Sequence, residues 1–162
     1  MKIIITGGTF FKDYDVDTGM MEINDNQFHD CIKDMMLNQI PHCHLWDLKD
    51  SLKMKEEDRE SLYKFCKKNI GPAQRLLVIH GTDTMAETHK YFCSRPNIGT
   101  IVFTGAFYPL SMRNTDAEFN LGFGIACTKT LPRGNYVAMN GEIFKSNVSK
   151  DHKNLKFKGN RI

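Results

Sequence analysis

The sequence predicts a three-layer α/β/α fold in which helices cover both faces of a mostly parallel sheet. Short apolar segments alternate with segments of helical periodicity along the chain, and no hairpin signal lies between them. The segments LLVI and IVF are apolar at every position, which is typical of strands buried on both faces. Parallel strands joined by helices account for both observations.

Five strands are predicted from the apolar segments, at residues 2–6, 39–48, 75–80, 100–104 and 136–139. The helix after the first strand is indicated by apolar residues at i, i+3, i+4 and i+7, namely Phe28, Cys31, Ile32 and Met35. The next helix is indicated by KEEDRESLYKFCKKN at 55–69, which begins with acidic residues and ends with basic ones, as the helix dipole favours.

Two further helices are predicted from capping boxes, one formed by Thr84 with Glu87 and the other by Thr115 with Glu118. The acidic segment FKDYDVDTGM at 11–20 follows neither a helical nor a strand pattern, so we expect a mobile lid there.

The C-terminal segment KSNVSKDHKNLKFKGNRI carries most of the excess positive charge. Nucleic-acid binding would favour a basic stripe on an ordered face with interleaved aromatic residues, and only Phe157 interrupts this segment. We therefore expect a solvated tail and no nucleic-acid partner.

Composition indicates one soluble domain spanning residues 1–162, with 41% hydrophobic and 25% charged residues. No apolar segment approaches the roughly 20 residues that a membrane helix needs, and the N-terminus lacks a secretory signal. The five cysteines are odd in number and form no C-x-x-C pair, which argues against a disulfide framework and a zinc site. A cytoplasmic protein without metal or cofactor is expected.

Ligands of parallel α/β sheets bind beyond the carboxyl ends of the strands, so residues at those ends are the candidates for function. The first strand ends in Thr6-Gly7-Gly8-Thr9, a turn that leaves the hydroxyl of Thr9 at the crevice. Neither glycine-rich phosphate-binding fingerprint is present, so a nucleotide-binding module is disfavoured.

The third strand ends in His80-Gly81-Thr82-Asp83-Thr84. With Thr84 as the helix cap, the side chains of Thr82 and Asp83 are free to face the crevice, where they could position a water or hold a substrate ammonium. Lys129, near the end of a later helix, either faces solvent or, if buried beside a carboxylate, helps to activate a hydroxyl.

Six segments together resemble the bacterial-type L-asparaginase/glutaminase family. They are TGGTF at 6–10, KDSLKM at 49–54, HGTDTMAET at 80–88, TGAFYP at 104–109, DAEFNL at 116–121 and YVAMNGEIF at 136–144. The resemblance runs from residue 3 to about residue 151. Long members of the family have a second domain, so the resemblance implies a chain equivalent to the first domain alone.

The resemblance implies hydrolysis of L-asparagine to L-aspartate and ammonia through a threonine ester. The catalytic residues it implies are Thr9 as nucleophile, Tyr14 as the lid tyrosine that activates it, and Thr82, Asp83 and Lys129 as a second triad. The substrate-binding residues it implies are Ser51, Asp50, Gly81, Thr82 and Asp83. A homodimer or homotetramer is expected by the same analogy.

Two alternatives remain open at this stage. A glutamine-preferring amidase would differ by one substrate methylene, which a pocket distinguishes by only about 1 to 3 kcal/mol. A non-catalytic amino-acid-binding domain of the same fold would have no need to retain the hydroxyls of Thr9 and Thr82.

Overall fold

The computed structural model describes all 162 residues, which form nine strands and four helices. In chain order these are β1 (Lys2–Gly7), β2 (Lys12–Asp15), β3 (Met20–Ile23), α1 (Phe28–Asp34), β4 (His42–Lys49), α2 (Glu56–Asn69), β5 (Arg75–Ile79), α3 (Met85–Cys93), β6 (Thr100–Thr104), α4 (Ala117–Thr130), β7 (Gly134–Met139), β8 (Glu142–Asp151) and β9 (Lys156–Arg161). Short 3-10 turns follow β1, at Thr9–Phe11, and β4, at Ser51–Lys53.

Seven strands form the main sheet, in the order β4-β1-β5-β6-β7-β8-β9. The first five strands in this order run parallel, and β8 and β9 are antiparallel to their neighbours. The carboxyl ends of β4, β1, β5, β6 and β7 therefore share one edge. The predicted mostly parallel sheet is confirmed.

Both faces of the sheet are buried. Ile3 and Ile5 of β1 belong to an apolar cluster that includes side chains of α1 and α4, whereas Ile4 belongs to a second cluster with side chains of α2 and α3. Because successive strand residues face opposite layers and both layers are apolar, the strands are hydrophobic at every position. The predicted three-layer fold is confirmed. None of the four helices is long and apolar enough to cross a membrane.

The expected lid at 11–20 does have regular structure, because β2 and β3 form a hairpin there, and its mobility stays a prediction. The carboxylate of Asp15 accepts hydrogen bonds from the backbone N–H groups of Asp17 (2.8 Å) and Thr18 (2.9 Å), and Gly19 takes a φ of +70°. An aspartate that bonds to the backbone two and three residues ahead closes a tight turn. The hairpin is a two-stranded sheet of its own.

The expected C-terminal tail is wrong, because β8 and β9 extend the main sheet. The pairing register between β8 and β9 shifts twice between Phe144 and Ser149, and Asn147 has a φ of +52°. Such irregularities bend a strand. Beyond Phe144 the strand leaves β7 and lies alongside α3, with Ser146, Asn147 and Val148 facing a groove that the two elements share.

Neither predicted capping box forms. Thr84 is the N-cap of α3, but its hydroxyl donates to the Ser51 carbonyl (2.9 Å) instead of bonding to the helix. At α4 the N-cap is Asp116, one residue later than predicted, and Thr115 accepts from the backbone N–H of Ala117 (2.9 Å). In both places the threonine hydroxyl forms its hydrogen bond with a residue outside the predicted capping box.

Packing of β9 is expected to contribute to global stability. Phe157 is 4% exposed and packs in the cluster on the α2 and α3 face, so Phe157→Ala should lower the free energy of unfolding by about 3 kcal/mol. Urea titration checks this value. Leu155→Ala, at the half-exposed hairpin turn, is the matched control and should cost less than about 1 kcal/mol. Equal, small effects of the two substitutions would contradict the structural role of β9.

Candidate active site

Four turns lie at the carboxyl edge of the sheet, and three of them carry candidate residues. They are residues 7–9 after β1, 50–53 after β4, 80–84 after β5 and 105–109 after β6. The strand order places β1 between β4 and β5, so the first turn is central. This edge is where α/β sheets bind ligands.

Two glycines allow the β1 and β5 turns to touch. A Cβ on Gly8, whose φ is +82°, would lie 2.3 Å from the Cα of Gly81. A Cβ on Gly81 would lie 2.5 Å from the hydroxyl oxygen of Ser51. Real Cβ atoms do not approach so closely, so only glycine fits at either position. Thr9 and Thr82, the next residue of each turn, therefore lie on two turns that are in contact.

The Ser51 hydroxyl lies beneath this contact. Ser51 is 1% exposed, and its oxygen has no hydrogen-bond partner within the protein. Buried polar groups are normally paired, and an unpaired one costs free energy. A hydroxyl of this kind beside Gly81 is suited to receive a polar group of a ligand.

The Lys150 side chain bonds to the side chains of both Thr82 and Asp83. Its ammonium nitrogen donates to the hydroxyl oxygen of Thr82 (2.9 Å) and to a carboxylate oxygen of Asp83 (2.5 Å). The lysine side chain is 10% exposed, and Thr82 is 2% exposed. A threonine hydroxyl beside a nearly buried ammonium and a carboxylate has the surroundings in which such a hydroxyl can be activated.

The structure places Lys129 far from Thr82. Lys129 lies at the C-terminal end of α4, where it borders a surface cavity of about 740 Å³ together with Met1, Pro41 and Arg75. These residues belong to the opposite edge of the sheet, where the parallel strands begin. The expectation that Lys129 completes the triad is therefore corrected, and the position beside Thr82 and Asp83 is taken by Lys150.

Two other predicted residues have different surroundings from those expected. Tyr14 lies on β2, is 60% exposed and forms no hydrogen bond with Thr9, which is half-buried. Asp50 accepts from the backbone N–H of Leu52 (3.0 Å) and pairs with Lys12 at 3.2 Å. Burial alone would raise the pKa of Asp50, but these two contacts hold that pKa below its usual value.

A buried polar chain supports the Gly81–Thr82 peptide from below. The Arg59 side chain donates to the Thr88 hydroxyl (3.3 Å), which lies 3.0 Å from Nε2 of His80. Nδ1 of His80 lies 2.8 Å from the carbonyl of Gly81. Because a carbonyl only accepts, Nδ1 carries the proton and Nε2 accepts from Thr88. Complete burial lowers the pKa of His80 to about 4, so the ring is neutral near pH 7.

Comparison with known proteins identifies the family to which the chain belongs. The family model described as "Asparaginase, N-terminal" matches residues 1–159, so the chain belongs to the asparaginase family. No curated protein sequence matches the chain.

Solved structures with the same fold include three L-asparaginases. The thermostable L-asparaginase from Thermococcus kodakarensis matches with a TM-score of 0.81 and 24% identity, over 98% of this chain and 51% of that one. L-asparaginase I from Vibrio cholerae gives a TM-score of 0.81 and 22% identity over 98% and 51%. A probable cytoplasmic L-asparaginase from Campylobacter jejuni gives 0.78 and 24% over 98% and 52%. The chain thus spans about half the length of these proteins.

Lys150 is the residue that the sequence reading missed. The sequence does carry a signal for the end of the strand that holds Lys150, since DHKN at 151–154 has the composition of a turn between two strands. In the structure the Asp151 carboxylate accepts from the backbone N–H groups of Lys153 and Asn154 (both 3.2 Å). A turn prediction there would have made 142–151 a strand candidate, but the position of Lys150 at the site depends on the bend in that strand.

Burial of His80 predicts a pH dependence of stability. In the unfolded chain the pKa of His80 returns from about 4 to its ordinary 6.5, so the unfolded state binds more protons between these pH values. Stability should fall as pH drops from about 6.5 to about 4, by about 3 kcal/mol from this group. Urea titrations at several pH values check this.

The control for this prediction is His80→Asn, which keeps a side-chain N–H donor near the Gly81 carbonyl but does not titrate. The difference in unfolding free energy between wild type and variant should shrink as pH falls through this range. Parallel curves would show that His80 is not the buried neutral base inferred here.

Proposed function

We propose that this chain is an amidohydrolase domain that hydrolyses L-asparagine to L-aspartate and ammonia, with Thr9 as nucleophile. Support comes from its family and from three L-asparaginases with the same fold. The observation that carries the proposal is the bridge from Lys150 to Thr82 and Asp83 on the turn that contacts Gly8, next to Thr9.

In the proposed first step the hydroxyl oxygen of Thr9 attacks the side-chain amide carbon of the substrate. The hydroxyl proton passes to the leaving nitrogen, the C–N bond breaks, and ammonia leaves an ester on Thr9. In the second step water attacks the ester carbon, the C–O bond to Thr9 breaks, and aspartate is released. Each step needs a group that takes up and returns one proton.

We propose that Thr82 relays this proton, replacing the Lys129 role that the sequence suggested. The Thr82 oxygen takes up the Thr9 proton while its own hydroxyl proton passes to the leaving nitrogen, and the Lys150 ammonium stabilises the charge on that oxygen. Thr82 already accepts a hydrogen bond from the Lys150 ammonium, which favours negative charge developing on the threonine oxygen. Backbone N–H groups of the glycine-containing turns are candidates to stabilise the oxyanion. Tyr14 is proposed to approach Thr9 by closure of the β2–β3 hairpin over bound substrate.

Substrate binding is proposed to use Ser51 and Asp83. The unpaired Ser51 hydroxyl is suited to the α-carboxylate of an amino acid, and the Asp83 carboxylate to the α-ammonium. Asp50 acts through its contacts with Leu52 and Lys12, which fix the turn that carries Ser51. A cytoplasmic homodimer or homotetramer is proposed by analogy with the family.

An ammonia-release assay with four variants tests the proposal. Thr9→Ala should lower kcat on L-asparagine by at least about 10³-fold, because the nucleophile is lost. Thr82→Ala and Lys150→Met should each lower kcat by about 10²-fold or more, since proton transfer is impaired. Lys129→Met is the matched control and should stay within about twofold of wild type, because Lys129 lies at the far edge.

L-glutamine is measured side by side to decide which amide is preferred. Equal rates of ammonia release from L-asparagine by wild type and Thr9→Ala would show that Thr9 is not the nucleophile. Calorimetric binding of L-asparagine without ammonia release would favour the non-catalytic binding domain instead.

A further inference from the structure

We propose that Phe107 is a positioning residue that holds the Lys150 ammonium against Thr82 and Asp83 through a cation–π contact. The proposal rests on the proposed function for its effect on turnover, but not for its structural content. Phe107 lies in the turn after β6, and Lys150 lies on β8, so the contact joins two separate parts of the candidate site.

The Lys150 ammonium has three N–H groups, and the protein oxygens account for two of them. Its nitrogen donates to Thr82 and Asp83, and it lies 5.3 Å from the centre of the Phe107 ring. Only 10% of the lysine side chain is exposed, so little water reaches the remaining side of the charge. A cation within about 6 Å of an aromatic face is attracted by the negative face of the ring.

The Phe107 ring is itself held in place. The backbone N–H of Phe107 donates to both carboxylate oxygens of Asp116 (3.0 and 3.1 Å), and Asn120 donates to the same carboxylate (2.8 Å). On the other side, the Phe157 ring packs against Phe107 with the two centres 5.9 Å apart. A ring fixed at its backbone and packed against a second ring can restrict where the ammonium sits.

An aliphatic side chain at this position would fill space but would not replace the electrostatic attraction. The ammonium of Lys150 would then gain water contacts or other rotamers, and its bond to Thr82 would be populated less often. Since the proposed role of Lys150 is to assist Thr82 during bond breaking, the loss should fall on kcat more than on KM.

The test compares two replacements of Phe107. Phe107→Leu removes the ring and should lower kcat on L-asparagine by about tenfold with KM changed less than about twofold. Phe107→Tyr keeps the ring and should restore at least about half of the wild-type kcat. Phe107→Met keeps more side-chain volume and replaces the leucine variant if that variant does not fold.

The matched control is Phe144→Leu, a change of the same kind in the same apolar cluster and on the same strand as Lys150. It should leave kcat within about twofold of wild type although it also costs packing. A similar loss of kcat in Phe107→Leu and Phe144→Leu would show that the loss comes from packing alone, and it would overturn the proposal.

A second measurement does not depend on turnover. Nitrogen-15 NMR of lysine side-chain ammonium groups should detect a slowly exchanging Lys150 signal, assigned by its loss in Lys150→Met. The signal should persist in Phe107→Tyr and disappear in Phe107→Leu. Its persistence in Phe107→Leu, or its absence from wild type, would overturn the proposal. Wild type without ammonia release would instead refute the proposed function and leave the NMR result to decide on Phe107.

Discussion

Gly8 and Gly81 place two chain segments that are remote in sequence in contact, with no room for a Cβ on either. Everything at the candidate site is arranged around this contact. Thr9 and Thr82 follow the two glycines, and Ser51 packs against the second of them. A methyl group at either glycine would push the turns apart and would displace Thr9, Thr82 and Ser51 from one another.

The β5 turn is held from two sides by different chemistry. Beneath it, the neutral His80 ring bonds to the Gly81 carbonyl and is itself fixed by Thr88. Above it, a charged group from β8, Lys150, bonds to Thr82 and Asp83. The neutral contact fixes the backbone, while the charged contact acts on the side chains. A rigid backbone with polarised side chains is the arrangement that preorganised sites require.

The sequence predicted the parallel core of the fold because apolar segments buried on both faces have a distinctive pattern. Strands β1 and β5 begin where predicted and end within one residue of the predicted position, and β6 has its predicted bounds. It failed for β2–β3 and β8–β9, where most residues are polar or exposed and pairing depends on turns closed by Asp15 and Asp151. Half-exposed antiparallel strands give a weaker signal than buried parallel ones.

For the candidate site, the sequence identified those residues that directly follow parallel strands, because strand ends can be read locally. Thr9, Thr82 and Asp83 are of this kind, whereas Ser51 was implied by the resemblance to the asparaginase family. Lys150 is not, since its position depends on the bend between Phe144 and Ser149, and no local pattern specifies where a bent strand returns. The lysine was therefore assigned to the wrong end of the sheet.

Placing Lys150 on β8 also ties the candidate site to the least covered part of the sheet. β9, the strand that pairs with β8 around Lys150, is an edge strand of the sheet and has a neighbouring strand on one side only. If this hairpin opened locally, Thr82 and Asp83 would lose their cation even with the parallel core still folded. In that case the free energy of local opening, and not that of global unfolding, would set the fraction of molecules whose site is complete.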